Sequence, residues 1–388
     1  MSQDILFSIF LVFTGAAVLS TIALFARQTL LVAYIALGVL LGPSGFGLVS
    51  DTDLISEIAH IGIIFLLFLL GLDLYPQKLV QLFRQTTIVI VFSTLIFAVM
   101  GYAIASLAGL GSTDSMAVGV AVVFSSTIVG LKLLPTTVLH HRHTGEVVIS
   151  ILLLQDLIAI VVLMVMKGLD SEGMELSGII QLVIALPSLL LVAWALEHFL
   201  LQPLFARFDR FPEYVFLLAI GWCLGVAQSA EALGLTYEIG AFIGGVAVAT
   251  SPIARHIADS LRPLRDFFLI MFFFAIGAGF DVAGAGEIWW GALLLAAGVL
   301  LLKPLVYRLL LVGVAESREL GLEIGWRLGQ MSEFSLLIVF IAAQSGLISG
   351  MAVNLVQLAT LLTFVGSSYL VVLRYPTPIA LSDRLRRD

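Results

Sequence analysis

The sequence predicts an all-α polytopic membrane protein of about thirteen transmembrane helices, built as two inverted six-helix repeats with crossed broken helices. Three observations predict it. Of 388 residues, 60% are hydrophobic and 12% charged, against about 25% charged in an average soluble protein, and mean hydropathy is +1.12. Apolar runs long enough to cross a bilayer follow one another with short connectors. Two of those runs carry polar clusters at matching places, which interrupted membrane helices require.

Composition also narrows the function. The 19 Lys and Arg residues are too dispersed for a nucleic-acid surface, so no nucleic-acid partner is expected. A single cysteine, Cys223, excludes an internal disulfide or a thiolate metal cluster. Met1-Ser2-Gln3-Asp4 has no basic n-region, so the first apolar run reads as a retained helix rather than a signal peptide. No nucleotide loop, nucleophile elbow or paired-histidine zinc motif occurs, and no enzyme activity or cofactor is expected.

The spans fall near 5–26, 29–49, 55–72, 86–109, 113–134, 145–166, 177–201, 212–231, 236–251, 265–281, 287–312, 322–346 and 351–374, read from the breaks in hydropathy. Alternate connectors then collect Lys and Arg very unevenly. One side receives sixteen, from Arg27 and Lys78 through Arg142 and Arg265 to Arg387; the other receives only Lys167. By the positive-inside rule the N-terminus is outside and the C-terminus cytoplasmic. A missed span would scramble that alternation.

Thirteen spans divide as six, one and six: a first repeat over 1–176, a linker helix over 177–211, a second repeat over 212–376 and a short basic tail over 377–388. Seven spans separate each matched pair, so the halves point in opposite directions. Ser125, Ser126 and Thr127 break the fifth span, and Gln330, Met331 and Ser332 break the twelfth, 205 positions on. Hydroxyl and amide side chains flanked by glycines compete for backbone hydrogen bonds and loosen a helix. Paired interruptions of this kind are a mark of secondary transporters.

Four ionisable residues within spans stand out. Asp156 is mid-span in the sixth, beside Gln155, where a carboxylate costs roughly 2.5–3.5 kcal/mol on insertion scales. Held between protonation and ionisation, such a group takes a proton or a cation but not both tightly. Gln155 offers an amide that either coordinates a cation or hydrogen-bonds the acid. Lys303 needs a partner, for which Asp156 and Glu333 are the candidates, unless it snorkels to the cytoplasmic edge. Glu333, in the second break, is either a proton or cation partner or a cap on the half-helix N-terminus. Arg327 is expected to pair with an acid on a neighbouring helix. Of the remainder, Asp73 reads as an interfacial cap. His140, His141 and His143 read as a solvated loop whose spacing could also suit zinc or pH sensing. The pairs Gly221/Gly225 and Gly240/Gly244 suit close helix packing or a dimer face.

Taken together, six segments resemble the membrane domain of the monovalent cation:proton antiporter-2 family, in particular Kef-type potassium/proton antiporters. They are Gly38–Pro43, Phe68–Asp73, Phe124–Thr127, Leu154–Asp156, Phe273–Gly277 and Gln330–Phe334. The resemblance implies the sodium/proton antiporter fold, a homodimer in the lipid bilayer of a bacterial inner membrane, and elevator-like exchange. It implies that Asp156 carries cation and proton, that Gln155 is its co-ligand in a Gln-Asp pair of the potassium type, that Ser125, Ser126 and Thr127 line the site, and that Lys303 faces the carboxylate. Gln330, Ser332 and Glu333 complete the expected ion- and proton-binding set. Kef proteins continue into a cytoplasmic regulatory nucleotide-binding domain. This chain stops at Asp388, which reads as a shortened chain or a stand-alone transporter served by a separate regulatory subunit. The loop from Arg255 to Pro263, with His256 and Asp259, matches the Kef regulatory loop only in part, so glutathione gating is not expected. The leading expectation is potassium/proton antiport. Sodium/proton exchange and a gated cation pore are the alternatives.

Overall fold

The computed structural model describes residues 5–377 except 27, 50–51, 74–75, 135–142, 171–175, 209, 250, 252 and 281–284. Each of the thirteen predicted spans corresponds to a helix or a helix pair. In chain order these are α1 (Ile5–Phe25), α2 (Leu30–Leu41), α3 (Thr52–Asp73), α4 (Pro76–Leu107), α5 (Ser112–Val122) with α6 (Thr127–Lys132), and α7 (His143–Asp170). Next come α8 (Leu176–Leu196), a π-helical turn (Glu197–Leu201) running into α9 (Gln202–Phe208), α10 (Pro212–Ala232), α11 (Tyr237–Val248) and α12 (Ala254–Ala278). The chain ends with α13 (Ala285–Gly313), α14 (Arg318–Arg327) with α15 (Glu333–Gln344), and α16 (Gly350–Arg374).

Helix ends follow from sequence. Thr236, Ser317 and Ser349 accept hydrogen bonds from the backbone N–H of Ile239, Leu320 and Ala352, capping α11, α14 and α16. Gly234 and Gly346 take positive φ after α10 and α15, and the next N–H in each case reaches back to the helix (Leu235 to Ala230 and Leu347 to Ala342). These are glycine C-caps. The π-helical turn has a cause in Pro203, whose ring would clash with a carbonyl of the preceding turn in a regular helix.

The chain forms two compact units. One holds Met1–Ser50, Gln81–Ala159 and Ile276–Asp388; the other holds Asp51–Val80 and Ile160–Ala275. In the second unit α3 lies on α11 at glycine distance: a Cβ on Gly245 would meet the Phe68 carbonyl oxygen at 2.1 Å, and one on Gly71 would meet that of Phe242 at 2.4 Å. His60 Nε2 and Glu238 Oε1, 2.9 Å apart, tie the same two helices. Of the glycine pairs noted in the sequence, Gly240 packs hard on Ala227 and Ala230 of α10, whereas a Cβ on Gly221 or Gly225 would meet nothing among the described residues within 4 Å.

The first unit contains both broken helices. A Cβ on Gly119 of α5 would meet the Ala98 carbonyl oxygen of α4 at 2.6 Å, and one on Gly325 of α14 would meet Pro304 Cα of α13 at 2.5 Å. Close packing therefore fixes each broken helix against the helix before it. Large apolar side chains stay exposed along α1 (Phe10, Val18, Ile22), α4 (Val91, Leu95, Val99) and α13 (Leu301, Leu305, Leu309). Faces of this extent suit hydrocarbon as solvent.

Candidate ion-exchange site

Both interruptions fall at the predicted residues, and the two meet. The first leaves Val123–Ser126 outside helical geometry and the second Leu328–Ser332. The Ser126 N–H donates to the Met331 carbonyl (3.1 Å). Ser125 Oγ donates to the Leu328 carbonyl (2.8 Å), and Gln330 Nε2 to the Ser126 carbonyl (3.4 Å). Groups that a continuous helix would satisfy internally are satisfied here by the other break, which lets unwound backbone persist in a buried place.

The helix that follows each break braces it. From α7, Gln155 Oε1 accepts the Ser125 N–H (3.1 Å), while its Nε2 donates to the Val123 carbonyl (3.1 Å) and the Tyr307 hydroxyl (2.8 Å). From α16, Thr363 Oγ1 accepts the Met331 N–H (3.1 Å) and Ser367 Oγ donates to Gln330 Oε1 (2.9 Å). Ser332 caps α15 with a reciprocal bond to Ser335, whose hydroxyl also donates to the Ala121 carbonyl of α5. The geometry thus engages all of Gln155's polar ends in bracing.

Asp156 faces this crossing and is 2% exposed. Thr127, the first residue of α6, donates its hydroxyl to Asp156 Oδ2 (3.1 Å). The other carboxylate oxygen, Oδ1, is buried and accepts no hydrogen bond from the described residues. Glu333, at the first position of α15 and 3% exposed, is close enough to Asp156 for their charges to interact. The dipole of α15 favours an acid at that position.

Lys303 overturns one expectation. It is wholly buried, so it does not snorkel, yet neither Asp156 nor Glu333 is among its hydrogen-bond partners. Its ammonium donates to the Phe124 carbonyl (2.8 Å), the Gln330 carbonyl (3.1 Å) and Ser125 Oγ (3.3 Å), and stands 5.3 Å from the centre of the Phe97 ring. The physical reason is that α5 and α14 end at the crossing with carbonyls that no helical N–H satisfies, a concentration of negative dipole that an ammonium relieves. Arg327 corrects a second expectation: its acid is Glu323, on its own helix (2.8 Å), rather than on a neighbour.

The remaining expected residues lie elsewhere. His256 and Asp259 are on the exposed side of α12 in the second unit, Asp259 paired with Arg262 (3.0 Å). His143 meets Glu316 (2.8 Å) and Glu146 (3.5 Å) at the start of α7; His140 and His141 lie outside the described residues, as does the Asp73 side chain. Tyr307, Thr363, Ser367 and Ser335 were not anticipated. Tyr307 follows Lys303 by four residues and so shares its helix face, and Thr360, Thr363 and Ser367 recur at helical spacing in an apolar span. Those two patterns were the available signals.

Two crossed, interrupted helices around a buried carboxylate in a multi-pass helical protein define a secondary transporter. A family model described as sodium/hydrogen exchanger, transmembrane, matches residues 9–374. The chain belongs to that family, which exchanges cations for protons, and the family expected from the motifs is the one found. It is 29% identical over 348 residues to the iron transporter MagA of Paramagnetospirillum magneticum, covering 88% of this chain and 79% of that one. It is 28% identical over 335 residues to K(+) efflux antiporter 6 of Arabidopsis thaliana (84% and 56%) and 28% identical over 374 residues to K(+) efflux antiporter 4 (93% and 62%). The chain thus spans less than two thirds of these plant relatives. The fold is that of the sodium proton antiporter MjNhaP1 of Methanocaldococcus jannaschii, with a TM-score of 0.68 at 17% identity over 94% of each chain.

Proposed function

We propose that this chain exchanges potassium for protons, with Asp156 as the group that holds each in turn. One observation carries the reading: a buried carboxylate at the crossing of two broken helices, one oxygen taking a threonine hydroxyl and the other no hydrogen bond from the described residues. Hard oxygen donors suit an alkali cation. A proton on Asp156 and a cation beside it compensate the same charge, so one displaces the other. Ser125, Ser126 and Gln330 form the crossing of the two breaks, Gln155 braces the first break, Ser332 caps α15, and Glu333 tunes the local charge. The potassium assignment rests on the Gln155-Asp156 pair and on relatives named K(+) efflux antiporters; sodium is the alternative on the same site.

In this reading the compact unit that holds Asp156 shifts as one body between inward and outward access, and the chain is a homodimer in a bacterial inner membrane with its N-terminus outside. Rigidity at both ends of the first broken helix supports the first point. Ser349 donates its N–H and hydroxyl to Asp114 at one end (2.9 and 2.6 Å), and Arg327 takes the Leu133 carbonyl at the other (3.0 Å). The inverted repeat is supported by contacts at the crossing that join residues 203 to 205 positions apart, the offset between the breaks.

The test is dye-reported proton flux in vesicles of purified protein under potassium, sodium and lithium in turn. Potassium should elicit the largest flux, and Asp156→Asn should abolish it while melting and oligomeric state stay as in the wild type. A strong sodium response with none to potassium overturns the ion assignment, and normal exchange by Asp156→Asn overturns the site.

A further inference from the structure

Arg327 is the largest fully buried side chain among the described residues, and each of its guanidinium nitrogens is engaged. Nε and Nη2 meet Glu323 Oε1 (3.0 and 2.8 Å), Nη1 donates to the Leu133 carbonyl (3.0 Å) and Nη2 to the Pro376 carbonyl (3.1 Å). The Tyr375 ring centre lies 5.6 Å from its carbon, and the neighbouring Trp326 ring lies 5.8 Å from Arg374. The two acceptor carbonyls follow the last turns of α6 and α16, and Arg327 itself ends α14. One cation therefore joins three helix C-termini, where dipoles favour positive charge.

One of those helices reaches Asp156 and another reaches the first break beside it. The first residue of α6 is Thr127, whose hydroxyl is bonded to Asp156. The residue after Arg327 is Leu328, whose carbonyl accepts from Ser125, and the Ser125 N–H is in turn held by Gln155. A planar fork that binds α6 directly and terminates α14 fixes the spacing of these two half-helices, and a point charge cannot reproduce that geometry. A helix of only six residues has little hydrogen bonding of its own to resist displacement.

We propose that Arg327 is a positioning residue for exchange: it sets the seat of Thr127 against Asp156 by clasping the ends of α6, α14 and the chain after α16. The inference rests on the reading of Asp156 as the ion carrier and assigns the residue that holds its hydroxyl partner in register. Because the clasp includes the Pro376 carbonyl, it also gives the segment that leaves the last helix a direct grip on the second break.

The experiment measures potassium-dependent exchange in vesicles of full-length protein for Arg327→Gln and Arg327→Lys, each alone and combined with Thr127→Val, together with melting. Misplacing a supporting partner typically weakens ion affinity roughly 10–100-fold. Arg327→Gln is therefore expected to raise the KM for potassium roughly tenfold with a smaller change in kcat, Arg327→Lys to recover part of the loss, and Arg327→Gln to add little once Thr127→Val is present. An unchanged KM with a lower yield or melting temperature overturns the proposal, as does full additivity with Thr127→Val. If Arg327→Gln does not fold, Arg327→Lys decides: a raised KM supports the inference and an unchanged one overturns it. An active Asp156→Asn variant would instead remove Asp156 as the ion carrier, so the two failures are distinct.

Discussion

Replacing Gln155 with leucine separates bracing from ion binding at the residue next to the proposed carrier. Leucine fills a similar volume and supplies no polar atom. The Ser125 N–H and the Val123 carbonyl, both in the first break, lose their only bonds to this side chain, and the Tyr307 hydroxyl loses a third. Each buried backbone group left without a partner costs about 1–3 kcal/mol, so the two together cost about 2–6 kcal/mol. The hydroxyl adds little, since Ser125 and Ser93 are also within its reach. A domain of 150–250 residues loses about 2–4 °C of Tm per kcal/mol. A fall of at least about 4–8 °C is expected in detergent, measured by intrinsic fluorescence or a thiol-reactive dye, with exchange in vesicles lost in parallel. Gln155→Glu keeps the acceptor for Ser125 and should melt between the leucine variant and the wild type. If Gln155→Leu melts like the wild type and only its KM for potassium rises, Gln155 is an ion ligand and the bracing argument fails.

Two further substitutions probe the surroundings. Lys303→Met retains the stem but leaves the Phe124 and Gln330 carbonyls without their donor, at about 1–3 kcal/mol each offset by the ammonium no longer being buried. Melting should fall less than in Gln155→Leu while vesicle exchange drops at least roughly tenfold, and wild-type exchange would show that the ammonium is dispensable. Gly325→Ala places a Cβ 2.5 Å from Pro304 Cα, backbone that cannot rotate away. Overpacking of this kind costs about 1–3 kcal/mol, so melting should fall by several degrees by the scale of Tm against stability; unaltered melting would mean that α13 and α14 separate freely.

The spans were legible because membrane helices must satisfy their backbone internally and face hydrocarbon, which writes each one as a long apolar run. The breaks were legible for the complementary reason: Ser125-Ser126-Thr127 and Gln330-Met331-Ser332 are polar where polarity is costly. What stayed hidden was partner choice. From the chain alone a buried ammonium calls for a carboxylate, and Asp156 and Glu333 are the candidates to supply it. Lys303 goes instead to carbonyls, because helix ends create acceptors that no side-chain inventory shows. Arg327 went astray similarly, since Glu323 four residues earlier on the same helix was overlooked in favour of a distant acid. Thr363 and Ser367 escaped because hydroxyls in a membrane helix commonly bond their own preceding turn, and only the crossing gives them other work.

The carbonyl seat of Lys303 bears directly on exchange. Among the described residues, no basic side chain hydrogen-bonds Asp156; the ammonium that burial would otherwise pair with it is spent on the ends of α5 and α14. In the proposed exchange, structural neutralisation and ion binding are thus carried by different groups at one crossing. A carboxylate locked to a lysine would have to break that pair before taking a cation, at the cost of leaving both charges buried and unmatched. In the proposed exchange the compensating charge for Asp156 is left to whatever arrives, a proton or a cation, while Lys303 stays bonded to the carbonyls of the crossing. The same division accounts for the heavy bracing under the proposed mechanism: with the dipoles held by Lys303, the backbone by Gln155 and Thr363, and the helix ends by Arg327, cargo would be swapped on one carboxylate oxygen without further unwinding of the helices around it.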